Sequence, residues 1–431
     1  MLPGSSIAEV YRDAQTVYSH VLRECAQIRH SALSNLLQDS KGYSLINTIG
    51  CRRSEVIALP SGMNGQQVIE AGESLGVVDI ESYQIKNISE CVREESRSVR
   101  VIEHCGGATM ENDFVQVMIN LEGQVTSLLE KTNGRQCILP DEKANQLVVY
   151  EDLPYDYDAW NVDVYYAEKI LHLPIANKMK VVESGPLRVK VAFEVSIGKS
   201  SLLKQNITLT AISSQIEFET WVDWRESHAF LRVLFPLNLR SNYATFETQF
   251  GWVQRPTHFN TSYELAQFEV PVQHWADLSE PDFGVSLLNN CKYGSACHGS
   301  VLSLSLLRSP KDPDPDADMG THYFSYALLP HALSPQLSAI WWQAARFNQS
   351  LQLESGLPSL ADLKLFWVDA PNIILDTIKV AEDGDGLVIR MYEASGSHTN
   401  AVLRWKFEFS TVERCDLLER KLEFCLFTEQ K

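Results

Sequence analysis

Two periodicities divide the chain. Over the first forty residues Ile7, Val10, Ala14, Val17, Val21, Cys25 and Ile28 recur every three or four positions, which puts them on one face of a long helix. Ser6 followed by Glu9 has the spacing of a capping box. Gly42, after Gln38-Asp39-Ser40, offers a left-handed stop. No helical pattern of comparable length follows, so the stripe lacks partner helices within this sequence. An unpartnered apolar stripe promotes self-association, and a homo-oligomer is expected.

Beyond Gly42 the period falls to two. Leu187, Val189, Val191, Phe193, Val195 and Ile197 alternate with Arg188, Lys190, Ala192, Glu194 and Ser196, as a half-buried strand requires. Leu302, Leu304 and Leu306 alternate with Ser303 and Ser305. Leu403, Trp405, Phe407 and Phe409 alternate with Arg404, Lys406 and Glu408. Turn signals at Glu122-Gly123, Asn133-Gly134, Ser184-Gly185-Pro186 and Asp383-Gly384-Asp385-Gly386 separate such runs. Strands with few helices between them predict a mainly β protein of antiparallel sandwiches, with breaks near 42, near 105 and within 333–360. No βα alternation exists from which a barrel could be built.

Charge narrows the functional classes. Against 37 Lys and Arg stand 55 Asp and Glu, a net charge of −18. That sign disfavours nucleic acid, whose phosphates need a basic face, and anionic membrane surfaces alike. Nine cysteines are scattered singly without a C-x-x-C pair, so neither a zinc ribbon nor a disulfide framework is indicated. The start lacks the basic region and apolar core of a secretory signal, and the cytoplasm is the expected compartment.

No nucleotide-binding glycine pattern, G-x-S-x-G elbow or H-E-x-x-H pair occurs. The run from Glu151 to Asp163 mixes acids with Tyr155, Tyr157 and Trp160. Aromatic faces cover the C–H patches of sugars while carboxylates accept hydroxyl protons. The same run also reads as a solvated loop anchored by Trp160. Trp221 to His228 reads as a charge network at a strand end, and His258 and His274 read as structural groups. Asp312 to Gly320 is acidic, but its glycine falls one place late for a calcium loop and two prolines intervene. Arg308 ends an alternating strand, where its guanidinium fork suits a hydroxyl, a carboxylate or a structural ion pair.

Eight short strings occur in one order: Leu2-Pro3-Gly4-Ser5-Ser6-Ile7, Tyr157-Asp158-Ala159-Trp160, Gln254-Arg255-Pro256-Thr257-His258, Trp275-Ala276-Asp277-Leu278-Ser279, Asn290-Cys291-Lys292-Tyr293-Gly294, Leu304-Ser305-Leu306-Leu307-Arg308-Ser309-Pro310, Tyr326-Ala327-Leu328-Leu329-Pro330-His331 and Cys415-Asp416-Leu417-Leu418-Glu419-Arg420. Together they resemble the cytosolic and vacuolar branch of the family-38 α-mannosidases. The resemblance implies a β-supersandwich of the galactose-mutarotase type. It divides the chain into residues 1–41 as a remnant of the family's middle helical domain, 42–105 as a small sandwich, 106–345 as the supersandwich and 346–431 as a C-terminal sandwich. The run from Lys421 to Phe427 is shorter than the family's closing strands, so this last sandwich is expected to lack an edge strand.

The resemblance further implies a zinc-dependent retaining α-mannosidase that hydrolyses terminal α-mannose residues of free oligosaccharides and N-glycans. The family's nucleophile and zinc ligands belong to an N-terminal barrel with no counterpart here, so catalytic and metal-binding residues are expected to be absent. This chain alone should bind no zinc and hydrolyse nothing. By the same resemblance Asp158, Trp160 and Arg308 are the candidate sugar-binding contributions. The missing barrel and a mannose-containing oligosaccharide are the expected partners. A non-catalytic carbohydrate-binding or oligomerisation module is the alternative.

Overall fold

The computed structural model describes residues 6–359, 363–406 and 408–425. Every strand pairing among them is antiparallel. Two sheets dominate. The larger has nine strands, running from Ala176–Ser184 at one edge, through Ile216–Trp224 and Gly320–Ala332 in the middle, to Gly251–Pro256 at the other. The smaller has six, with Gln146–Glu151, Ala229–Pro236 and Val301–Arg308 adjacent at its centre. The expected mainly β, antiparallel sandwich fold with one long N-terminal helix is therefore the fold of this chain.

Alternation explains the pairing of these sheets. Arg188–Ile197 turns Val189, Val191, Phe193, Val195 and Ile197 into the core while polar residues face outward. Phe218 of the nine-stranded sheet meets Phe235 of the six-stranded sheet at 6.0 Å, and Tyr326 stacks on Phe218 at 5.0 Å. A five-stranded sheet (Arg100–His104 to Arg135–Gln136) adds Val117, Ile119 and Leu128 to the same core. Burial of this apolar surface is the main favourable term in folding. Val301–Arg308 is an exception to the alternating pattern: Ser303 is buried along with Leu302 and Leu304, because both faces of this central strand are covered.

The first helix spans Ala8–Leu36 and buries none of its residues. The capping box read from Ser6 and Glu9 does not form: Ile7 is the N-cap, the Ser6 amide donates to the Tyr11 hydroxyl at 3.2 Å, and Glu9 pairs with Arg12 at 2.9 Å. Nor does the helix run on to Gly42. Leu37–Ile46 is a strand, captured by Gln352–Pro358 on one side and Gln84–Asn87 on the other. Long-range pairing overrides a local stop signal here. Gly42 serves instead at a bulge between Gln38 and Tyr43, where a Cβ would lie 2.7 Å from Leu357. Leu2 to Ser5, Phe407, Leu426 and Phe427, all part of the sequence patterns above, lie outside the described residues.

Residues 94–99 carry the chain from one sheet system to the next, and Glu95 anchors them. Its carboxylate accepts from the Arg97 amide and Nε at 3.0 and 2.9 Å and from Arg93 Nη1 at 2.7 Å. The Arg97 hydrogen bond, outweighing burial, holds this carboxyl at about 2. Depression of the folded-state value means that the stabilisation is complete above the unfolded carboxyl's range and disappears as pH falls from about 4.5 toward 2. Glu95→Gln should therefore lower the unfolding free energy by about 1–3 kcal/mol near neutrality, with a difference from wild type that shrinks on acidification. Urea unfolding across that range measures it, and a constant difference contradicts the assignment.

The tight turn at Cys105-Gly106-Gly107 supplies a second test. Gly107 has φ +139°, and a Cβ there would lie 1.9 Å from the Ile119 carbonyl oxygen. The nearest atom to a Cβ on Gly106 is 3.6 Å away. Gly107→Ala should cost about 2 kcal/mol or more and Gly106→Ala less than about 0.5 kcal/mol in thermal unfolding. Equal costs would rule out this account of the turn.

Candidate functional site

The loop after Gln146–Glu151 folds back across the end of Val301–Arg308. Asp152, buried, opens that loop and accepts from Arg308 Nε at 2.6 Å. Burial pushes the Asp152 carboxyl up, and the Arg308 hydrogen bond and charge pull against it. The rest of the guanidinium donates to main-chain oxygens: Nη2 to Asp158 at 3.0 Å and Asn161 at 2.7 Å, Nη1 to Ala159 at 3.3 Å. A planar fork with five donors suits this role; a lysine would reach fewer acceptors.

Asp158 faces the neighbouring turn. Its Oδ2 accepts from the Lys311 amide at 2.5 Å and the Asp312 amide at 3.3 Å, while Oδ1 lies 3.7 Å from His228 Nδ1. Trp160 differs from both. Its ring is 52% exposed and stacks on Tyr157 at 5.6 Å with 19° between the planes. The structure thus brings all three sequence-derived candidates together, with Asp158 and Arg308 engaged by protein groups and Trp160 facing out.

Beside Trp160 lies a cleft of 590 Å³, walled by Asn161, Pro313, Asp314 and Asp318, by Tyr11 of the first helix and by Ser6 just before it. Asp314 Oδ1 accepts from the Asp316 amide at 3.0 Å, so the acidic turn hydrogen-bonds within itself. Among the described residues no three His, Cys, Asp or Glu side chains converge on a point where a metal ion could sit. The described residues do not fit a zinc centre.

The remaining sequence candidates form structural pairs. Arg225 Nε lies 3.0 Å from Asp223, and Glu226 accepts from Ser201 Oγ at 2.8 Å. His274 Nδ1 lies 3.0 Å from Glu247, and His258 Nδ1 lies 3.4 Å from Glu264. Local patterns missed a buried network beneath the loop. Arg232, 1% exposed, pairs with Glu269 at 2.6 Å, donates to Ser303 Oγ at 2.7 Å and to the Tyr166 hydroxyl, and lies over the Tyr166 ring. Its only sequence signal is a lone cation inside the apolar strand Ala229–Pro236.

Large antiparallel sheets packed face to face, with an aromatic pair and acids on one end loop, define the class of β-sandwich proteins. Residues 110–316 match the model of the glycosyl hydrolases family 38 C-terminal domain, and residues 372–430 match that of the glycosyl hydrolases family 38 C-terminal beta sandwich domain. The chain belongs to glycoside hydrolase family 38, of which it is a C-terminal portion. It is 36% identical over 438 residues to alpha-mannosidase 2C1 of Mus musculus, an alignment covering 98% of this chain and 41% of that protein. It is 32% identical to alpha-mannosidase G of Dictyostelium discoideum, over 97% of this chain and 44% of that one. The chain thus spans about two fifths of the length of these curated relatives. The crystal structure of an alpha-mannosidase from Enterococcus faecalis superposes with a TM-score of 0.74 over 97% of this chain and 58% of that chain, and at 15% identity it speaks to fold alone. The resemblance carried by the eight short strings is borne out at the level of the family.

Arg308→Met should cost about 3–5 kcal/mol, because it strands a buried Asp152 carboxylate and frees three loop carbonyls. Trp160→Ala, at a half-exposed position, should cost about 1 kcal/mol or less. Urea unfolding compares the two, and similar losses would show that the guanidinium is no clamp.

Proposed function

We propose that this chain is the supporting half of a zinc-dependent, retaining α-mannosidase that removes terminal α-mannose residues from free oligosaccharides and N-glycans in the cytoplasm. The observation that carries the reading is the Tyr157–Trp160 stack held half-exposed over its cleft by the Arg308 clamp. Trp160 takes the apolar face of a sugar ring. Asp158 and Arg308 are positioning residues: one locks the turn beginning at Lys311 and the other fixes the loop. Pre-ordering lowers the entropic cost of ligand capture, since the loop no longer needs to fold around the sugar.

In this reading the nucleophilic and acid/base carboxylates and the zinc ligands lie outside these 431 residues. The length of the relatives supports that division, as do the family models, both of which describe C-terminal domains. The first helix, with Val17, Tyr18, Leu22 and Ile28 exposed, packs against further residues of the parent enzyme or, failing them, against a second copy. The purified chain supplied with zinc should not turn over an aryl α-mannoside. Turnover at the rate of an intact family-38 α-mannosidase would overturn the proposal. The exposed aromatic pair also suits a second reading, a non-catalytic glycan-binding module; Trp160-dependent binding of mannose oligosaccharides by a hydrolytically silent chain is the result that reading requires.

A further inference from the structure

A second cleft, of 270 Å³, opens where the hairpin of Tyr243–Thr248 and Gly251–Pro256, the helix Ile340–Asn348 and the hairpin of Ile373–Val380 and Leu387–Glu393 meet. It shares no lining residue with the cleft beside Trp160. Aromatic rings from Tyr83, Phe250, Trp341, Trp342 and Tyr392 line it together with Asp376 and Glu247; the Tyr83 hydroxyl is committed to the Leu375 carbonyl.

Phe250 is costly to keep where it is. Its φ is +60°, in the two-residue turn of a hairpin where glycine or asparagine is the relaxed choice. Its ring is also 66% exposed. A strained backbone that presents an exposed aromatic ring beside a cleft makes that ring available to a ligand. The ring meets Tyr392 edge-on, at 5.4 Å and 78°. Opposite, Trp342 is fixed by an Nε1 hydrogen bond to the Pro371 carbonyl at 2.8 Å. Gly50 forms part of the wall, where a Cβ would come within 3.1 Å of the Trp342 ring and 3.3 Å of Tyr83.

The polar groups are unequally committed. Glu247 already holds His274, accepting from its backbone amide at 2.6 Å and lying 3.0 Å from Nδ1. That hydrogen bond pushes the His274 ring up. Asp376 has no such cation among the described residues; its carboxylate accepts from the adjacent Thr377 hydroxyl at 2.7 Å. Burial, then the charges of Glu247 and Asp376, push the Tyr392 phenol up to about 12; near neutrality it is a hydrogen-bond donor, as any phenol is. The cleft therefore offers aromatic faces, one uncommitted carboxylate and one phenolic donor. A neutral ring with C–H faces and hydroxyl edges satisfies all of these at once. A quaternary ammonium ion would use the rings but leave the phenol unmatched.

We propose that this cleft is a second carbohydrate subsite, seating one neutral pyranose ring of an oligosaccharide against Phe250, Trp342 and Tyr392 with a ring hydroxyl donating to Asp376. The subsite rests on the reading above only for its choice of sugar. Calorimetric titration of the 431-residue chain with α-mannobiose tests it, with cellobiose and choline as comparison ligands. The expected result is millimolar binding of mannobiose that Phe250→Ala and Asp376→Asn each weaken about tenfold. Both positions are at the surface of the cleft, and circular dichroism of each variant should match wild type. Trp160→Ala should leave the Phe250-dependent binding unchanged.

Undiminished mannobiose affinity in both variants overturns the subsite, as does failure of the wild-type chain to bind either disaccharide. Choline binding in place of sugar overturns it as well. Phe250-dependent binding of cellobiose but not mannobiose keeps the subsite and sinks the mannose reading, so the two can fail separately. Turnover of an aryl α-mannoside by this chain would count against the functional reading and leave the subsite standing.

Discussion

Phe230 lies between two guanidinium groups, with Arg232 5.3 Å and Arg308 6.0 Å from its ring centre. The inner face of the six-stranded sheet is closed to charge, because Phe218, Phe235 and Tyr326 fill the space between the sheets. The two cations therefore occupy the other face, where burial persists and each requires an acid partner. Asp152 comes to Arg308 from one loop and Glu269 comes to Arg232 from another. Neither loop can leave without abandoning a buried charge, a penalty of several kcal/mol. The position of Trp160 follows from that requirement.

This arrangement separates holding from recognition. The groups that fix the loop are charged, largely buried and paired with acids, whereas the groups that face solvent are aromatic and weakly bonded. On the proposed reading, a sugar arriving at Trp160 would displace little and order little, which favours affinity from a small area of contact. The second cleft follows the same division in different chemistry: an Nε1 hydrogen bond fixes Trp342, a histidine occupies Glu247, and the strained Phe250 is left free. In both places the sandwich contributes rigidity and its turns contribute specificity.

What the sequence reveals depends on the range of the forces involved. Arg188–Ile197 was legible because one face is dry and the other wet, which writes a period of two into the chain. Val301–Arg308 was less so, since a strand covered on both faces has no such contrast. The end of the first helix was misjudged because the pairing of Leu37 with Pro358 is formed by a segment over three hundred residues away. The candidate site shows the same limit. The resemblance to the family-38 α-mannosidases singled out Trp160, Asp158 and Arg308, yet the partners that distinguish a clamp from a contact, Asp152 and the Lys311 amide among them, meet only after folding. Phe250 gave no signal, because strain belongs to a dihedral angle and not to a residue type.

The first helix joins the question of missing partners to that of the Trp160 cleft. Leu33 and Leu36, near its C-terminal end, pack against Ile46 and Ile85, so the helix is moored there. Along its length Val10, Val17, Val21 and Ile28 face solvent. A helix of 29 residues derives most of its stability from packing of its apolar face. Ser6, just before the helix, and Tyr11, in its first turn, form one wall of the cleft whose other wall is the clamped loop. One side of the cleft is therefore fixed by buried charge, and the other is carried by the start of a helix whose apolar stripe is exposed. On the proposed reading, the surface that would pack against the parent enzyme and the wall beside Trp160 thus belong to one rigid element.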